Sequence, residues 1–314
     1  MWLPPAAGAW FAAAAALALS APLEACGRRL EPPAGATLAA AAADGGPAFP
    51  VTLRDDRGVP VTVTSEPRRI VALLPSHTET LVALGVGARV VGVDDFSDQP
   101  AGAPVVPRLG GLYDVHVEEL MSLRPDLVLA SESCSAAPRL EQGGLAVWGG
   151  SARTFDDVFR VIRAVGALVG RSDEAARLAG RIARDVDDVE GRVRGLGRVR
   201  VYYELDSALY SAGPASFIGV LLAKAGGQNI VPPELGEFPQ LSAEAVITSN
   251  PTVILGVSLD EAAARPGWGA IDAVRQGRVY RLPRAESALV NRPGPRIADG
   301  LRALARRLHP EAEP

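Results

Sequence analysis

The residues of this chain that could carry chemistry are few. Its 314 residues include three histidines, His77, His116 and His309, and two cysteines, Cys26 and Cys134. A site for a bare zinc or manganese ion needs several histidine and carboxylate ligands that converge on one point. His309 falls in a C-terminal helical pattern and His116 stands where a helix cap is expected. We therefore expect no resident metal ion and no cofactor.

The motifs of common enzyme classes are also missing from the sequence. There is no GxSxG nucleophile elbow, no GxGxxG turn that opens a helix and no phosphate-binding P-loop. The sequence therefore does not predict a hydrolase, a dehydrogenase or a kinase. Glu132 beside Ser133, after a predicted strand, could be imagined as an acid–base group, but nothing in the sequence pairs with it. We expect that the protein is not an enzyme and that Glu132 lines a cleft.

The elements that would position these residues occur twice in the sequence. Residues 70–130 read as a buried strand, a helix that ends at glycine, and a short helix that leads through X-Pro into another buried strand. Residues 199–257 repeat this order. Such alternation is typical of parallel α/β lobes. The predicted fold class is therefore α/β, with two Rossmann-like lobes, parallel central sheets and a ligand cleft between the lobes.

A long helical connection is expected between the two lobes. Apolar residues recur at helical spacing after Thr154, and Asp157 stands at the third helical position as a capping partner. The pattern pauses at Gly170 and resumes at Ser172, which could cap a second helical run to Arg194. A rigid helical backbone of this kind would limit how far the lobes hinge.

Local patterns predict three further elements. An antiparallel hairpin is expected over residues 50–64, because alternating apolar residues flank a DDRG turn. Ser76 and Glu79 form an S-x-x-E capping box at the start of a helix that Gly85 would end. An arginine-rich amphipathic helix over residues 296–308 closes the chain.

The N-terminus predicts export. Residues 11–19 are rich in alanine and leucine and are too short to span a bilayer comfortably, as in the apolar region of a signal peptide. The Leu-Glu-Ala-Cys-Gly segment at 23–27 is similar to a bacterial lipobox, in which Cys26 would be lipidated. The alternative for Cys26 is a disulfide bond with Cys134 in an oxidising compartment.

The charge of the chain argues against nucleic acid as a partner. The formal net charge is −4, and removal of residues 1–25 takes away only Glu24, so no basic stripe remains to neutralise phosphates. The predicted organisation is a signal peptide over 1–25, a flexible tether over 26–48, an N-terminal lobe over 49–152, a helical linker over 153–195 and a C-terminal lobe over 196–314.

Several sequence blocks, in order, resemble one family. They are PRRIVALLPSHTETLVALGVG, VVGVDDFSD, VEELMSLRPDLVLAS, AGGQNI, PQLSAEAVITSNP, WGAIDAVRQGRVY and RPGPRIADGLRALARRLHP. Together they resemble the helical-backbone (class III) substrate-binding proteins of ABC importers, and most closely the cobalamin-binding branch. The resemblance implies a monomer at the outer face of the cytoplasmic membrane or in the periplasm. Such a protein hands a small molecule to a membrane permease and its ATPase.

Candidate ligand-binding residues come from strand ends and from loops that match the family's pocket loops. Ligands of open α/β sheets bind beyond the carboxyl ends of the strands. The candidates are Ser76, His77, Phe96, Glu132 and Tyr210 from strand ends, and Tyr113, Phe238 and Arg292 from loops. The four aromatic residues would suit a large flat ligand such as a corrin. His77 could also reach a ligand's metal centre as an axial donor.

The resemblance does not decide which ligand the protein binds or whether the protein takes part in transport. Stacking aromatics and Arg292 suit a corrinoid, a ferric siderophore and heme alike. Where the cobalamin-binding branch tends to place tryptophans, this chain has Leu112-Tyr113 and Phe238. A ligand-sensing module that kept the fold without transport is the alternative of another class.

Two carboxylates match permease-docking positions of the family. Glu79 and Glu244 stand near the start of one helix in each lobe, where the resemblance implies contact with arginines of the permease. Each also fits a purely structural role, because Glu79 belongs to the expected capping box and Glu244 to a first helical turn, where the helix dipole favours negative charge.

Overall fold

The described part of the chain begins with an antiparallel hairpin. The structure is a computed structural model, in which residues 49–97 and 105–312 are described. Strand β1 (Val51–Arg54) pairs with β2 (Pro60–Val63), with Val51 opposite Val63. The predicted hairpin is therefore confirmed. The expected signal peptide, the tether and Cys26 lie outside the described residues.

The first lobe is a four-stranded parallel sheet with short connecting helices. Its strands are β3 (Ile70–Ala72), β4 (Val90–Val93), β5 (Leu127–Ala130) and β6 (Val147–Gly149), in the spatial order β4-β3-β5-β6. Its helices are α1 (Pro75–Ala83), α2 (Val117–Ser122) and α3 (Ala137–Gln142). Strands β3 and β5 are buried along their whole length, which explains why they read as continuous apolar runs.

Two helices fill the connection between the lobes. They are α4 (Phe155–Leu168) and α5 (Ser172–Val193). The predicted capping box at α4 is present, because Thr154 Oγ1 accepts from the Asp157 amide and the Asp157 carboxylate accepts from the Thr154 amide. Burial alone would raise the pKa of Asp157, but hydrogen bonds from Thr154 and Arg160 outweigh it and lower the pKa to about 2.

The second lobe repeats the topology of the first. Its strands are β7 (Val199–Tyr203), β8 (Gly227–Asn229), β9 (Val253–Leu255) and β10 (Val279–Tyr280), all parallel where they pair. They lie in the order β10-β9-β7-β8, so in both lobes the first strand pairs with the second and the third. The repeated pattern of the sequence therefore corresponds to a repeated sheet.

The helices of the second lobe complete the fold. They are α6 (Phe217–Lys224), α7 (Ala243–Ser249), α8 (Leu259–Ala263), α9 (Asp272–Arg275), α10 (Arg284–Asn291) and α11 (Ile297–Leu308). The predicted terminal helix is confirmed as α11. No helix within the described ranges combines the length and the apolar character needed to cross a membrane.

One continuous apolar core runs through both lobes and the linker. It contains Ile70 of β3, Val165 of α4, Val189 of α5, Val201 of β7 and Leu301 of α11. Two smaller clusters lie one in each lobe, around residues such as Leu120 in the first lobe and Trp268 in the second. The linker helices are therefore part of the same core as both sheets.

Two predicted helix caps are wrong. Helix α1 begins at Pro75 with Leu74 as its N-cap and no side-chain cap, so Ser76 lies inside the first turn and Glu79 does not cap it. Proline at the first helical position, which has no N–H to satisfy and a fixed φ, accounts for the earlier start. Ser172 is likewise the first residue of α5 and not its cap, because Arg171 takes that position.

Candidate functional site

A pocket of about 380 Å³ lies between the two lobes. The first lobe contributes segments that follow strands β3, β4, β5 and β6, and the second lobe contributes the end of α10. The lining residues are Leu74, Pro75, Ser76, Phe96, Ser131, Ser151, Ala152, Asn291, Arg292 and Pro293. The pocket thus lies beyond the carboxyl ends of the strands of the first lobe, where ligands of α/β sheets bind.

Ser131 and Ser151 line the pocket, and the predicted cleft residue Glu132 lies outside its lining but contacts both hydroxyl groups. Glu132 Oε2 accepts hydrogen bonds from Ser131 Oγ at 3.1 Å and from Ser151 Oγ at 2.6 Å. Burial would raise the pKa of Glu132, but these hydrogen bonds and the charge of Arg153 lower it. Glu132 is therefore ionised at neutral pH, and this side of the pocket favours hydrogen-bond donors over anions.

The turn after β4 is held by a buried carboxylate. Asp94 Oδ1 accepts from the Phe96 amide at 2.7 Å, and Asp94 Oδ2 accepts from Ser97 Oγ at 2.5 Å. Ser97 Oγ also lies 3.0 Å from Thr78 Oγ1 of α1. Burial raises the pKa of Asp94. These contacts fix the position of the Phe96 carbonyl group at the edge of the pocket.

Arg292 of the second lobe reaches across the pocket to this turn. Its Nη2 donates to the Phe96 carbonyl oxygen at 2.9 Å, and its Nη1 lies 3.2 Å from Glu79 Oε1. Both charged side chains are largely buried, with 19% of Arg292 and 17% of Glu79 exposed. The neighbouring Asn291 is held by β7, because Tyr203 donates its hydroxyl to Asn291 Oδ1 at 3.0 Å.

The four predicted aromatic residues lie in two pairs, one on each lobe. Phe96 packs against Gly111, whose turn carries Tyr113, and the two rings are 66% and 80% exposed. In the second lobe Tyr210 forms an antiparallel bridge with Gln240, two residues after Phe238, and the side chains of Tyr210 and Phe238 are partly exposed. Phe96 lines the pocket, whereas Tyr113, Tyr210 and Phe238 are exposed and lie outside its lining.

His77 does not line the pocket. It is fully buried inside the first lobe, and its ring centroid lies 5.8 Å from that of Trp148. Neither ring nitrogen has a hydrogen-bond partner among the described residues. Burial lowers the pKa of His77 to about 4. A contact between His77 and a ligand would therefore require the residues around it to move.

The two predicted docking carboxylates differ in their surroundings. Glu244 is exposed in the first turn of α7, which Ser242 caps by accepting from the Ala245 amide at 3.1 Å. Glu79 is instead largely buried and paired with Arg292. Cys134 is buried in the first lobe, whereas Cys26 lies outside the described residues, so lipidation and a disulfide bond both stay predictions.

The structure also adds pocket residues that the sequence reasoning missed. Ser131 and Ser151 directly follow β5 and β6, so the strand-end rule could have included both. The contributions of Asp94 and Thr78 depend on contacts between elements that no local pattern predicts. Among the residues that the structure describes, no group of three His, Cys, Asp or Glu side chains could hold a metal ion.

Two topologically matched lobes, a helical linker and a pocket between the lobes define a two-lobed ligand-binding protein. The periplasmic binding protein family model matches residues 70–286, more than half of the chain. The chain therefore belongs to the periplasmic binding protein family, whose members are substrate-binding proteins of transporters. Family membership confirms the predicted class and the prediction that the protein is not an enzyme.

Similar proteins come from bacteria and archaea. The uncharacterized ABC transporter substrate-binding lipoprotein YvrC of Bacillus subtilis is 32% identical over 84% of this chain and 87% of its own length. A cobalamin-binding protein of Halobacterium salinarum is 33% identical over 85% of this chain and 76% of its own. The structure of the heme-binding protein RhuT of Roseiflexus sp. RS-1, at 26% identity, covers 79% of this chain and 99% of its own with a TM-score of 0.70.

Because His77 is buried, the free energy of unfolding of the protein should depend on pH. Its pKa is about 4 in the folded protein and 6.5 in the unfolded chain, so the unfolded state binds more protons between these values. Stability should therefore fall as the pH decreases, by about 2 kcal/mol between pH 7 and pH 5 from this residue alone. Urea unfolding of the wild type and of His77→Leu at both pH values measures how much His77 contributes to the change in the free energy of unfolding.

The exposed His116 provides the control for this experiment. His116→Leu changes a histidine whose side chain is 55% exposed, so it should leave the pH dependence of the wild type in place. If His77→Leu loses as much stability on acidification as the wild type does, the assigned effect of burial is wrong.

Proposed function

We propose that this protein captures a cobalamin-type corrinoid outside the cytoplasm and delivers it to the permease of an ABC importer. The observation that carries the proposal is the polarity of the pocket. The lining hydroxyl groups of Ser131 and Ser151 donate to the ionised Glu132, which lies outside the lining, and the lining Arg292 is already paired with Glu79. A corrinoid carries amide side chains, whose N–H groups can donate to such acceptors.

The aromatic residues support a large flat ligand. Phe96 lines the pocket, and Tyr113 on the same lobe and Tyr210 and Phe238 on the other are exposed rings that a ligand larger than the pocket would contact. Aromatic faces contribute stacking and apolar contact area to a macrocycle. The cobalamin-binding relative from Halobacterium salinarum supports the same ligand class.

Heme or a ferric siderophore is the second candidate, and Arg292 is the observation in its favour. A guanidinium at the pocket edge can pair with the carboxylates of heme or with an anionic chelate. Such a ligand would have to take Arg292 from Glu79 and lie near the ionised Glu132. The similarity to a heme-binding structure supports this candidate, and the pocket charges favour the corrinoid.

Titration of the purified protein with a ligand panel tests the proposal. The panel contains cyanocobalamin, cobinamide, a ferric hydroxamate, a ferric catecholate and heme, with calorimetric detection. We expect one-to-one corrinoid binding with a Kd below about 1 μM, and a roughly two- to tenfold weaker Kd in Tyr113→Ala and in Phe238→Ala. Leu196→Ala, which removes an exposed apolar side chain after the linker helices, should bind like the wild type.

The panel separates the candidate functions. Binding of heme or an iron chelate alone would replace the corrinoid by another ligand of the same family. Failure of all five ligands to bind would contradict the ligand proposal and favour the non-transport module.

We also propose that Glu244 docks the permease. The Glu244→Arg variant should lose at least about tenfold of cobalamin uptake in cells, because a carboxylate that meets a cation is replaced by a like charge. Its Kd for cyanocobalamin should not change, since Glu244 lies outside the pocket lining. Normal uptake by this variant would contradict docking at this position.

Asp260→Arg is a matched control for the docking experiment. Asp260 takes the same second position of helix α8 that Glu244 takes in α7, and both helices have a serine N-cap. Reversal of charge at either site therefore perturbs a helix dipole to a similar extent. Only the Glu244 variant should lose uptake.

Lipidation of Cys26 completes the proposal. A lipid on Cys26 would hold the protein, as a monomer, close to its permease through the predicted tether. Metabolic labelling with palmitate should mark the wild type and not Cys26→Ser. Equal labelling of both proteins would contradict this anchor.

A further inference from the structure

The contact between Arg292 and the first lobe spans the entrance of the pocket. Arg292 stands directly after α10, so its backbone belongs to the second lobe, whereas Glu79 and Phe96, two of the acceptors it contacts, belong to the first. These two acceptors are a carboxylate of α1, on Glu79, and a backbone carbonyl of the turn after β4, on Phe96. One guanidinium therefore ties two separate elements of the first lobe to the second.

The backbones of the two lobes also meet closely at this point. A Cβ atom placed on Gly294 would lie 3.3 Å from Ser76 Cβ and 3.4 Å from Glu79 Oε2. The segment that follows Arg292 therefore rests directly against the first turns of α1, so that a side chain at Gly294 would crowd Ser76 and Glu79. The ion pair and this backbone contact reinforce each other.

The groups on both sides of the Arg292 contact are held in place by other hydrogen bonds. The Phe96 carbonyl is fixed by the hydrogen bonds of Asp94, and Asn291 next to Arg292 is fixed by Tyr203. Burial raises the pKa of Tyr203 to about 12, so its hydroxyl remains a donor at neutral pH. Less side-chain entropy is lost when such groups meet, and a largely buried pair is screened less than a surface pair.

The size of the pocket indicates what this contact does. About 380 Å³ is at the lower end of the roughly 300–1,000 Å³ that hold drug-sized ligands. A corrin macrocycle with its amide side chains is larger than such ligands. Ser76 and Phe96 of one lobe and Arg292 and Pro293 of the other line the space that would have to widen.

We propose that Arg292, Glu79 and the Phe96 carbonyl form a latch that holds the two lobes together over the pocket. Separation of the lobes breaks the contacts of the guanidinium with Glu79 and with the Phe96 carbonyl, and a corrinoid can enter only after this step. Only molecules with separated lobes can bind the ligand. The latch therefore raises the apparent Kd, which equals the intrinsic Kd divided by the fraction of molecules with separated lobes. The latch can therefore be tested on the protein without a ligand.

The latch connects to the proposed function through Glu79, and this step rests on that function. A permease arginine that meets Glu79 would compete with Arg292 for its carboxylate. Docking and lobe separation then favour each other, because coupling between two equilibria is reciprocal. The exposed Glu244 has no such competitor at its position in the described part of the chain and would dock in either state.

Distances between the lobes test the latch without any ligand. The full chain with Cys26→Ser and Cys134→Ala receives spin labels through Ser122→Cys on α2 and Thr248→Cys on α7, both exposed positions. Double electron–electron resonance then reports the distance distribution between the lobes. Arg292→Gln and Glu79→Gln should each shift this distribution to longer distances relative to the labelled reference protein.

Three further variants distinguish loss of the latch from a nonspecific perturbation of the structure. The exchange Glu79→Arg with Arg292→Glu restores an ion pair and should return the distribution toward the reference. Gly294→Leu should lengthen the distances while it keeps both charged residues. Arg296→Gln removes an exposed arginine that pairs with Asp299 inside the second lobe, and should change nothing.

The outcomes distinguish the latch from the ligand proposal. Unchanged distances in Arg292→Gln, Glu79→Gln and Gly294→Leu would overturn the latch, even if cyanocobalamin binds. Longer distances that the charge exchange reverses would establish it, even if cyanocobalamin does not bind. Where cyanocobalamin does bind, stopped-flow mixing should give an association rate about tenfold higher for Glu79→Gln, and an unchanged rate would contradict the proposed entry step.

Discussion

The apolar face of the two linker helices is the constraint on which the rest of the structure depends. Val165 and Val189 of the linker are buried in the same core as Ile70 of the first sheet and Val201 of the second. Large separation of the lobes would expose this core, and close-packed interiors resist such deformation. We therefore expect only small rotations of the lobes. For such small movements, a single ion pair at the cleft can determine whether the lobes are together or apart.

The same architecture explains why the pocket is built from short segments. The parallel strands of the first lobe end at the cleft, and hydrogen bonds within and between the turns that follow them hold these turns in place. Asp94 fixes the turn after β4, and Glu132 joins the turns after β5 and β6 through the hydroxyl groups of Ser131 and Ser151. The polarity of the pocket therefore depends on three strand ends of one lobe and on Arg292 of the other.

The sequence predicts the elements well, because their signals are local. Apolar runs and glycine stops predict the strands and α1, and the Thr154 capping box predicts the start of α4. The capping role of Glu79 is wrong because its carboxylate is paired with Arg292, a residue 213 positions away, and no local pattern contains that contact. His77 follows a strand as expected, but its burial against Trp148 depends on tertiary packing.

Lys224 is the only lysine in the sequence, and its position gives it a use as a chemical handle. Its ammonium group pairs with Glu190 of α5 and lies 4.5 Å from the ring centroid of Phe155 in α4. One side-chain amine therefore marks the junction between the second lobe and both linker helices. Amine-directed fluorophores and cross-linkers would attach to a single side chain at this junction, without any engineered cysteine.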